Sequence, residues 1–470
     1  MPLYDGLRAE NDDTAAVRKD KRRTAANLRR LRDAMKAHFH AQFGEVEARR
    51  RGTLRLATWN IREFDSSKYG ERMPESRRYI AEIIAQFDLV AVQEVRENLS
   101  ALKDVMRLLG PDWRFIATDV TEGTGGNRER MAFLYDKRRV WFRNIAGELV
   151  LKKASRIKHP SDVRLRFAKG IELELPEGTQ LESPHSVHTY QRSGKHRLKE
   201  EAEVKLPAGT WVRLPDKASL VLPAKQVVEL DGEGGVVLPP GDMVTLEGKL
   251  EVDLPKSSFI GDALQFARTP FIVSFQAGWL KLNLCTVHIY YGKGNIGLKR
   301  RNQEIRRLTE MLAKRAVKDA KADADTFFVV LGDFNIVGKH HETMKSLRTN
   351  GFDVPEALEG VPGSNVKQDK AYDQIAYWTD PDGPDKPPEQ VASMEVVAAG
   401  VFDYFDHVFR TEDEPTYAAR MAKMQKDGGA EEGATPWKYR DWRTYQMSDH
   451  LPMWIELRTD FADEFLDEVS

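Results

Sequence analysis

Cysteine, long apolar runs and net charge are all scarce in this chain of 470 residues. Cys285 is the single cysteine, so no disulfide can form within the chain. No apolar run approaches the roughly 18 residues that span a membrane, and the N-terminus lacks the apolar stretch of a signal peptide. The net charge of −1 gives no global attraction to nucleic acid, so any basic binding surface must be local. We expect a cytoplasmic protein that does not enter a membrane, although a disulfide-free exported protein has the same signature.

Residues 1–50 are predicted to form a basic helical arm. Apolar residues recur there at helical spacing among many lysines and arginines, at Val17, Leu28, Leu31, Met35 and Phe39. A solvated helix that packs through one thin apolar stripe explains this pattern. An arm that binds nucleic acid or a partner protein is the alternative.

Strands and helices alternate over residues 51–150 and again over residues 266–470, which predicts two halves of one catalytic α/β domain. Leu54–Asn60 reads as a strand, and the helix after it begins at Pro74, a residue suited to a first helical turn. In the second half, a long helix from about Ile296 to Ala316 separates the strands "WLKLNLCTVHI" and "TFFVVLGDFN".

An eight-residue repeat lies between the two halves, within residues 151–265. Seven units run from "VKLPAGTW" at Val204 to "VDLPKSSF" at Val252, and each has valine or leucine two residues before a leucine. Apolar residues two apart face one side of a strand, and the Pro, Gly, Asp and Lys that follow are turn residues. One unit is too short to bury its own face, so the units must stack. We predict an inserted all-β subdomain, solenoid-like or a repeat sheet, that acts as a spacer, an oligomerisation module or a binding platform.

Polar side chains recur at the ends of the apolar strands. They are Asn60, Glu94, His288, Asp333, Asn335, Asp373, Asp449 and His450. A buried carboxylate is unfavourable by several kcal/mol unless it is paired or bound to a metal. Carboxylate and amide oxygens that converge without cysteine suit a hard divalent cation. The sequence therefore predicts a metal site for Mg²⁺, with Mn²⁺ or Ca²⁺ as alternatives.

Six motifs in this order resemble the endonuclease/exonuclease/phosphatase superfamily and, within it, the type I deoxyribonucleases: "LATWNIREF", "FDLVAVQEVRE", "RERMAFLY", "VLGDFN", "AYDQIAYW" and "SDHLPMWIEL". The resemblance covers roughly residues 53–150 and 266–458. It implies an α/β four-layer sandwich, in which two mixed β-sheets lie face to face with helices outside. The active site of that fold lies at one edge of both sheets, and the octad segment is an insertion.

The resemblance also implies roles for individual residues. The metal ligands of the family match Asn60, Glu94, Asp333, Asn335 and Asp449. Two catalytic histidines, each oriented by a carboxylate, match His288 with Glu129 and His450 with Asp373, and Asp333 and Asn335 also match catalytic positions. One imidazole would take a proton from water while the other protonates the leaving oxygen. The sequence leaves open which histidine is the acid.

Substrate contacts of the resembling family match Arg62, Arg96, Arg130, Arg268 and Asn127. A structural ion pair is the alternative for each arginine. Asn127 stands where those deoxyribonucleases place a tyrosine against the sugar, which predicts a weaker grip on the minor groove.

We therefore expect a Mg²⁺-dependent hydrolase of phosphodiester bonds, most closely an endonuclease that acts on double-stranded DNA. The alternatives are a phosphatase or phospholipase C-like enzyme of the same superfamily, an exonuclease-III-like endonuclease, and a catalytically silent scaffold that uses the β-repeat. The sequence "YDQIA" differs from the "CDRIL" type of inositol phosphatases, and exonuclease-III-like enzymes lack a match to His288. A silent scaffold would have lost a metal or histidine position, and none is missing.

Overall fold

The computed structural model describes residues 2–43, 52–64, 71–120, 129–149, 266, 268–292, 294–380, 390–429 and 434–470, with short segments between 163 and 253. The chain divides into two units. The larger unit contains Met1–Leu149, Ala267–Gly292 and Gly297–Ser470, and the smaller contains Val150–Phe266 with Lys293–Ile296. No helix within the described ranges is long and apolar enough to cross a membrane.

The first half of the larger unit begins with a long helix. Its elements in chain order are α1 (Ala15–Phe43), β1 (Thr53–Phe64), α2 (Pro74–Ile84), β2 (Leu89–Arg96), α3 (Ser100–Leu109), β3 (Trp113–Ala117), β4 (Glu129–Asp136) and β5 (Trp141–Glu148). Four members of the apolar stripe of α1 are buried in the core, namely Leu28, Leu31, Met35 and Phe39, whereas Val17 is 41% exposed. α1 therefore packs as part of the helical layer outside the first sheet.

The described strands of the smaller unit fall within residues 151–265. They are β6 (Val163–Phe167), β7 (Glu172–Leu175), β8 (Gln180–Ser183), β9 (Ser186–Thr189), β10 (Gly194–Arg197), β11 (Ala202–Leu206), β12 (Ser219–Leu222), β13 (Gln226–Glu229), β14 (Met243–Leu246) and β15 (Leu250–Asp253). Eight of them form one sheet, in the order β13-β12-β14-β15-β6-β11-β8-β9, and β7 pairs with β10. Successive octads form the antiparallel pairs β12–β13 and β14–β15. A solenoid would stack successive units in parallel, so the described strands match the repeat-sheet form of the prediction rather than the solenoid-like form.

The second half of the larger unit completes both of its sheets. Its elements are β16 (Phe271–Ala277), β17 (Leu280–His288), α4 (Gly294–Ala322), β18 (Thr326–Asp333), α5 (Glu342–Leu347), β19 (Phe352–Asp353), β20 (Asp373–Trp378), β21 (Val396–Val401), α6 (Glu414–Asp427), α7 (Tyr439–Gln446), β22 (Met453–Arg458) and α8 (Ala462–Val469). Short 3₁₀ turns occur at Glu356–Leu358, Tyr404–Asp406 and Thr411–Asp413. The motif "SDHLPMWIEL" predicts a strand from Asp449, but the strand begins at Met453 instead. Pro452, which precedes it, has no N–H to donate to a strand ladder.

Both six-stranded sheets are mixed, as the resemblance implied. The first has the order β21-β22-β1-β2-β4-β3 and the second β19-β20-β18-β17-β16-β5. β1 and β2 run parallel in the first sheet, and β17 and β18 run parallel in the second, while their other neighbours are antiparallel. The sheets meet through buried apolar side chains and through polar contacts, among them the hydrogen bond that Gln93 Nε2 donates to Thr286 Oγ1 at 2.8 Å. The α/β class with two mixed sheets and flanking helices is confirmed.

Candidate active site

Three candidate residues occupy one line across the second sheet. His288 at the end of β17 pairs with Asp333 at the end of β18, and Asp333 pairs with Asp373 at the start of β20. Residues directly opposite one another on neighbouring strands carry their side chains on the same face. This register is the reason that side chains from three distant motifs meet at one sheet edge.

His288 faces a carboxylate of the first sheet. Its Nδ1 lies 3.0 Å from Glu129 Oε2, and Arg268 Nε donates to the same oxygen at 3.0 Å. Burial and the charge of Arg268 oppose protonation of His288, but the charges of Glu129 and Asp333 prevail and raise its pKa. Burial acts to raise the pKa of Glu129, yet His288 and Arg268 hold that pKa at about 2. Glu129 therefore stays ionised and orients the imidazole.

His450 has a matching arrangement on the other side of Asp333. Its Nδ1 lies 2.7 Å from Asp373 Oδ2, an oxygen that also accepts a hydrogen bond from Ser364 Oγ at 2.6 Å. Burial alone would lower the pKa of His450, but the charges of Asp373 and Asp333 outweigh it and raise the pKa well above its ordinary value.

The two imidazoles converge on a single oxygen. His288 Nε2 lies 3.5 Å from Asp333 Oδ2, and His450 Nε2 lies 3.8 Å from the same atom. Each ring thus has one nitrogen against an orienting carboxylate and the other directed at the centre of the cluster. Two oriented rings on opposite sides of one point suit general acid and general base catalysis.

Asn60 and Glu94 approach this centre from the first sheet. Asn60 Nδ2 donates to Glu94 Oε1 at 2.9 Å and to Asp333 Oδ2 at 3.0 Å, so it links the two sheets. Glu94 has a positive φ of 62° at a shift in the pairing of β2 with β4. The backbone N–H of Glu63 donates to Glu94 Oε2 at 2.7 Å. A non-glycine residue in this conformation is unfavourable by about 1–3 kcal/mol and is found most often at functional sites.

Oxygen atoms near this centre can accept a cation. Asn60 Oδ1 is buried and has no hydrogen-bond partner in the described part of the chain. One atom from each of Asp333, Asp373 and His450 also lies within 4.8 Å of the others, which is a spacing that a metal ion can bridge. Because His450 and Asp373 already bond each other, Asn60 with Glu94 and Asp333 is the better position for a hard divalent cation. The cation would bind the amide oxygen in place of the Nδ2 contacts to the two carboxylates.

Asn335 and Asp449 lie at the rim of the cluster. The backbone N–H of Asn335 donates to Asp333 Oδ1 at 2.8 Å, and its Nδ2 donates to the carbonyl of Ile289 at 2.9 Å. Asp449 Oδ2 lies 3.7 Å from Arg62 Nε, and its side chain is 44% exposed. Asn335 supports Asp333, whereas Asp449 faces the open side.

The predicted substrate arginines all contact acidic side chains in the structure. Arg268 is buried against Glu129, Arg96 Nη2 lies 3.0 Å from Glu63 Oε2, and Arg130 Nη1 lies 3.3 Å from Asp119 Oδ1. The ion-pair alternative describes Arg268 best, since it is the one buried arginine among the four. Arg62 packs over the ring of Tyr445 with its Cζ 4.0 Å from the ring centroid. Asn127 lies outside the described residues.

Ser448 is a residue of the site that the sequence reasoning missed. Its buried Oγ donates to the carbonyl of Asn60 at 2.6 Å and accepts the backbone N–H groups of His450 and Arg62 at 3.0 and 3.1 Å. It therefore ties the end of β1 to the loop that carries His450. Its place directly before Asp449 and His450 in the motif "SDH" was the available signal.

Comparison with known proteins supports the superfamily assignment. Residues 57–211 match the model of the Endonuclease/Exonuclease/phosphatase family, whose members are hydrolases of phosphoester bonds. Residues 57–211 are thus similar to this superfamily, and the match supports that part of the prediction. The nearer resemblance to deoxyribonucleases stays a prediction. No curated protein matches the chain in sequence.

Solved structures of the superfamily are distant in sequence. The Bacteroides thetaiotaomicron VPI-5482 mannosyl-6-phosphatase is 14% identical, with 86% of this chain and 99% of that chain covered and a TM-score of 0.38. D. rerio TDP2 complexed with single strand DNA product is 10% identical, with 86% and 98% covered and a TM-score of 0.38. The human Nocturnin catalytic domain is 12% identical, with 86% and 94% covered and a TM-score of 0.34. At these TM-scores the similarity to the three structures does not indicate the activity of this chain.

Proposed function

We propose that the protein is a divalent-metal-dependent phosphodiesterase, and that its substrate is DNA, cut internally. The observation that carries the proposal is the pair of histidines on either side of Asp333, each with its Nδ1 against a carboxylate. Hydrolysis of a phosphodiester needs a base for the attacking water and an acid for the leaving oxygen, and these two rings supply both.

Asn60, Glu94 and Asp333 are the residues that would hold the cation, with Asn335 and Asp449 beside them. An amide oxygen and two carboxylates match the preference of Mg²⁺ for oxygen ligands, and Mn²⁺ or Ca²⁺ fit the same set. A bound divalent cation withdraws charge from the phosphate oxygens in the transition state. Asp333 also lies between the histidines, so its charge stabilises an imidazolium on either side.

Partly exposed arginines at the same edge favour a polyanionic substrate. Arg62 and Arg96 are exposed to 26% and 27%, and their ion pairs with Asp449 and Glu63 lie at the open side of the cluster. Exposed ion pairs contribute roughly 0–1 kcal/mol, so a phosphate can replace the carboxylate partner with little loss. Each guanidinium group can thus exchange its carboxylate partner for a phosphate of a nucleic-acid backbone.

Parallel incubations test the assignment. The purified chain with Mg²⁺ should nick supercoiled plasmid DNA faster than it cuts RNA, a lipid phosphodiester or a sugar monophosphate, and EDTA should stop the reaction. A matched variant, Lys314→Gln on the exposed side of α4, should nick at the parent rate. Preference for a lipid or a phosphomonoester would reject the DNA substrate, and full activity in EDTA would reject the metal.

A further inference from the structure

Helix α1 is strongly positive, unlike the rest of the chain. It contains nine lysines and arginines against two aspartates. The whole chain has a net charge of −1, so the remainder is net negative. Such a concentration of one sign creates a local positive field on a protein whose remainder is net negative.

The basic residues of α1 divide into two groups. Five are engaged within the fold, for example Arg23 with Glu75 at 2.7 Å and Arg30 with the carbonyl of His407 at 2.7 Å. The other four, Lys19, Arg22, Arg29 and Lys36, are exposed. We call these four the basic face. Within the described chain, Lys19, Arg22 and Arg29 make no hydrogen bond or ion pair.

Helix geometry aligns the basic face. Arg22, Arg29 and Lys36 are seven residues apart, a spacing that drifts by only about 20° per step around a straight helix. Lys19 lies one turn before Arg22. With a rise of about 1.5 Å per residue, the basic face covers about 25 Å. The opposite side of α1 is committed to the protein core through Leu31, Met35 and Phe39.

The N-terminal half of α1 is connected to the candidate active site through Arg23. Glu75, the partner of Arg23, lies in the first turn of α2, the helix that follows β1. Three residues earlier, Arg72 Nη2 donates to the carbonyl of Arg62 at 2.8 Å. The N-terminal half of α1 is therefore joined by short contacts to the strand end that carries Asn60 and Arg62.

We propose that the basic face binds the phosphate backbone of the nucleic-acid substrate outside the catalytic cluster, an inference that rests on the proposed function. Duplex DNA carries one charge per roughly 1.7 Å of its axis, so about 25 Å of duplex presents about 15 phosphates. Because the apolar side of α1 is buried in the core, the helix cannot insert it into a membrane. A nucleic acid therefore fits this face better than a lipid surface.

A variant that lacks three positive charges of the basic face tests the proposal on the full chain. Arg22→Gln, Arg29→Gln and Lys36→Gln are combined, because glutamine keeps a helix propensity close to that of arginine and lysine. The matched control removes the same charge from exposed positions of α4, by Lys314→Gln, Lys318→Gln and Lys321→Gln. Binding of a labelled duplex of about 30 base pairs is followed by fluorescence anisotropy in EDTA, between about 50 and 200 mM KCl.

The basic-face variant should bind the duplex on the order of ten- to a hundredfold more weakly. Its log–log salt slope should be flatter by up to about 2.7, because each phosphate contact contributes about 0.9. The control should bind like the parent, and both variants should hydrolyse bis(p-nitrophenyl) phosphate at the parent rate.

The proposal would be overturned if the basic-face variant bound the duplex as tightly as the parent, or if the α4 control lost as much duplex affinity as that variant. It would also be overturned if the basic-face variant kept its affinity for duplex but lost binding to anionic vesicles that the parent binds. A parent that binds duplex but hydrolyses no phosphodiester would instead reject the proposed function.

Discussion

Glu129 contributes both to the stability of the fold and to the proposed catalysis, and Glu129→Gln should impair both. Its carboxylate contacts His288 Nδ1 and Arg268 Nε through one oxygen, each at 3.0 Å. The substitution removes the group that orients the imidazole. It also leaves the guanidinium of Arg268 buried without its counter-charge.

The stability part follows from the pKa of Glu129, which lies at about 2 in the folded chain against an ordinary value of 4.5. A carboxyl with a lowered pKa stabilises the folded state above pH 4.5, and the stabilisation is lost as the pH falls through about 2. This shift corresponds to about 3 kcal/mol at neutral pH, since one pKa unit is worth about 1.36 kcal/mol. Breaking a buried ion pair by removal of one partner typically costs about 3–5 kcal/mol, which agrees.

Urea unfolding and plasmid nicking measure the two effects separately. Glu129→Gln should unfold about 3 kcal/mol more easily at neutral pH, and the difference should narrow as the pH falls below 4.5. Adding Arg268→Met removes the stranded charge, so the double variant should regain stability. Its nicking rate should stay low, since His288 still lacks its carboxylate. If Glu129→Gln alone were as stable and as active as the parent, Glu129 would neither orient His288 nor neutralise Arg268.

Other perturbations give expected outcomes of different kinds. Glu94→Ala should abolish nicking while the chain still folds, because relief of the repulsion with Asp333 offsets the lost hydrogen bonds from Asn60 and Glu63. Nicking at the parent rate would exclude Glu94 as a ligand. His288→Ala and His450→Ala should each reduce the rate by roughly 10²–10⁴-fold, and the double variant by much less than the product. A normal rate for His288→Ala would make that residue structural. Burial and the charge of Arg55 lower the pKa of His38, so the parent should lose stability in urea as the pH falls below 6.5, and His38→Gln should lose less. Identical pH profiles would contradict the last expectation.

Individual strand ends could be predicted from the sequence because their signal is local. Where an apolar run stops at Asn60, Glu94, His288 or Asp333, a few neighbouring residues are enough to identify the polar end of the strand. The convergence of these ends depends on cross-strand register, which places His288, Asp333 and Asp373 in line. Register depends on pairing between distant segments, so the resemblance supplied the grouping that residue patterns alone could not.

The contact partners of single side chains, and the direction in which the octad strands pair, could not be predicted from the sequence for a related reason. Arg268 reads equally well as a phosphate ligand or as an ion-pair partner, and only its burial against Glu129 favours the second. The hydroxyl of Ser448 produces no periodic pattern, although it bridges two segments of the site. The octads specified strands, but an alternating pattern is the same for parallel and antiparallel neighbours.

The hydrogen bond between Asn60 and Asp333 joins residues 273 positions apart in the chain. Contacts of such sequence separation close late, because the entropy of a long loop must be overcome before they form. The cluster therefore matures only when strands from both ends of the chain have paired and the two sheets have met. Recovery of activity after dilution from denaturant would report the final stage of folding, well after helices such as α1 and α4 have formed.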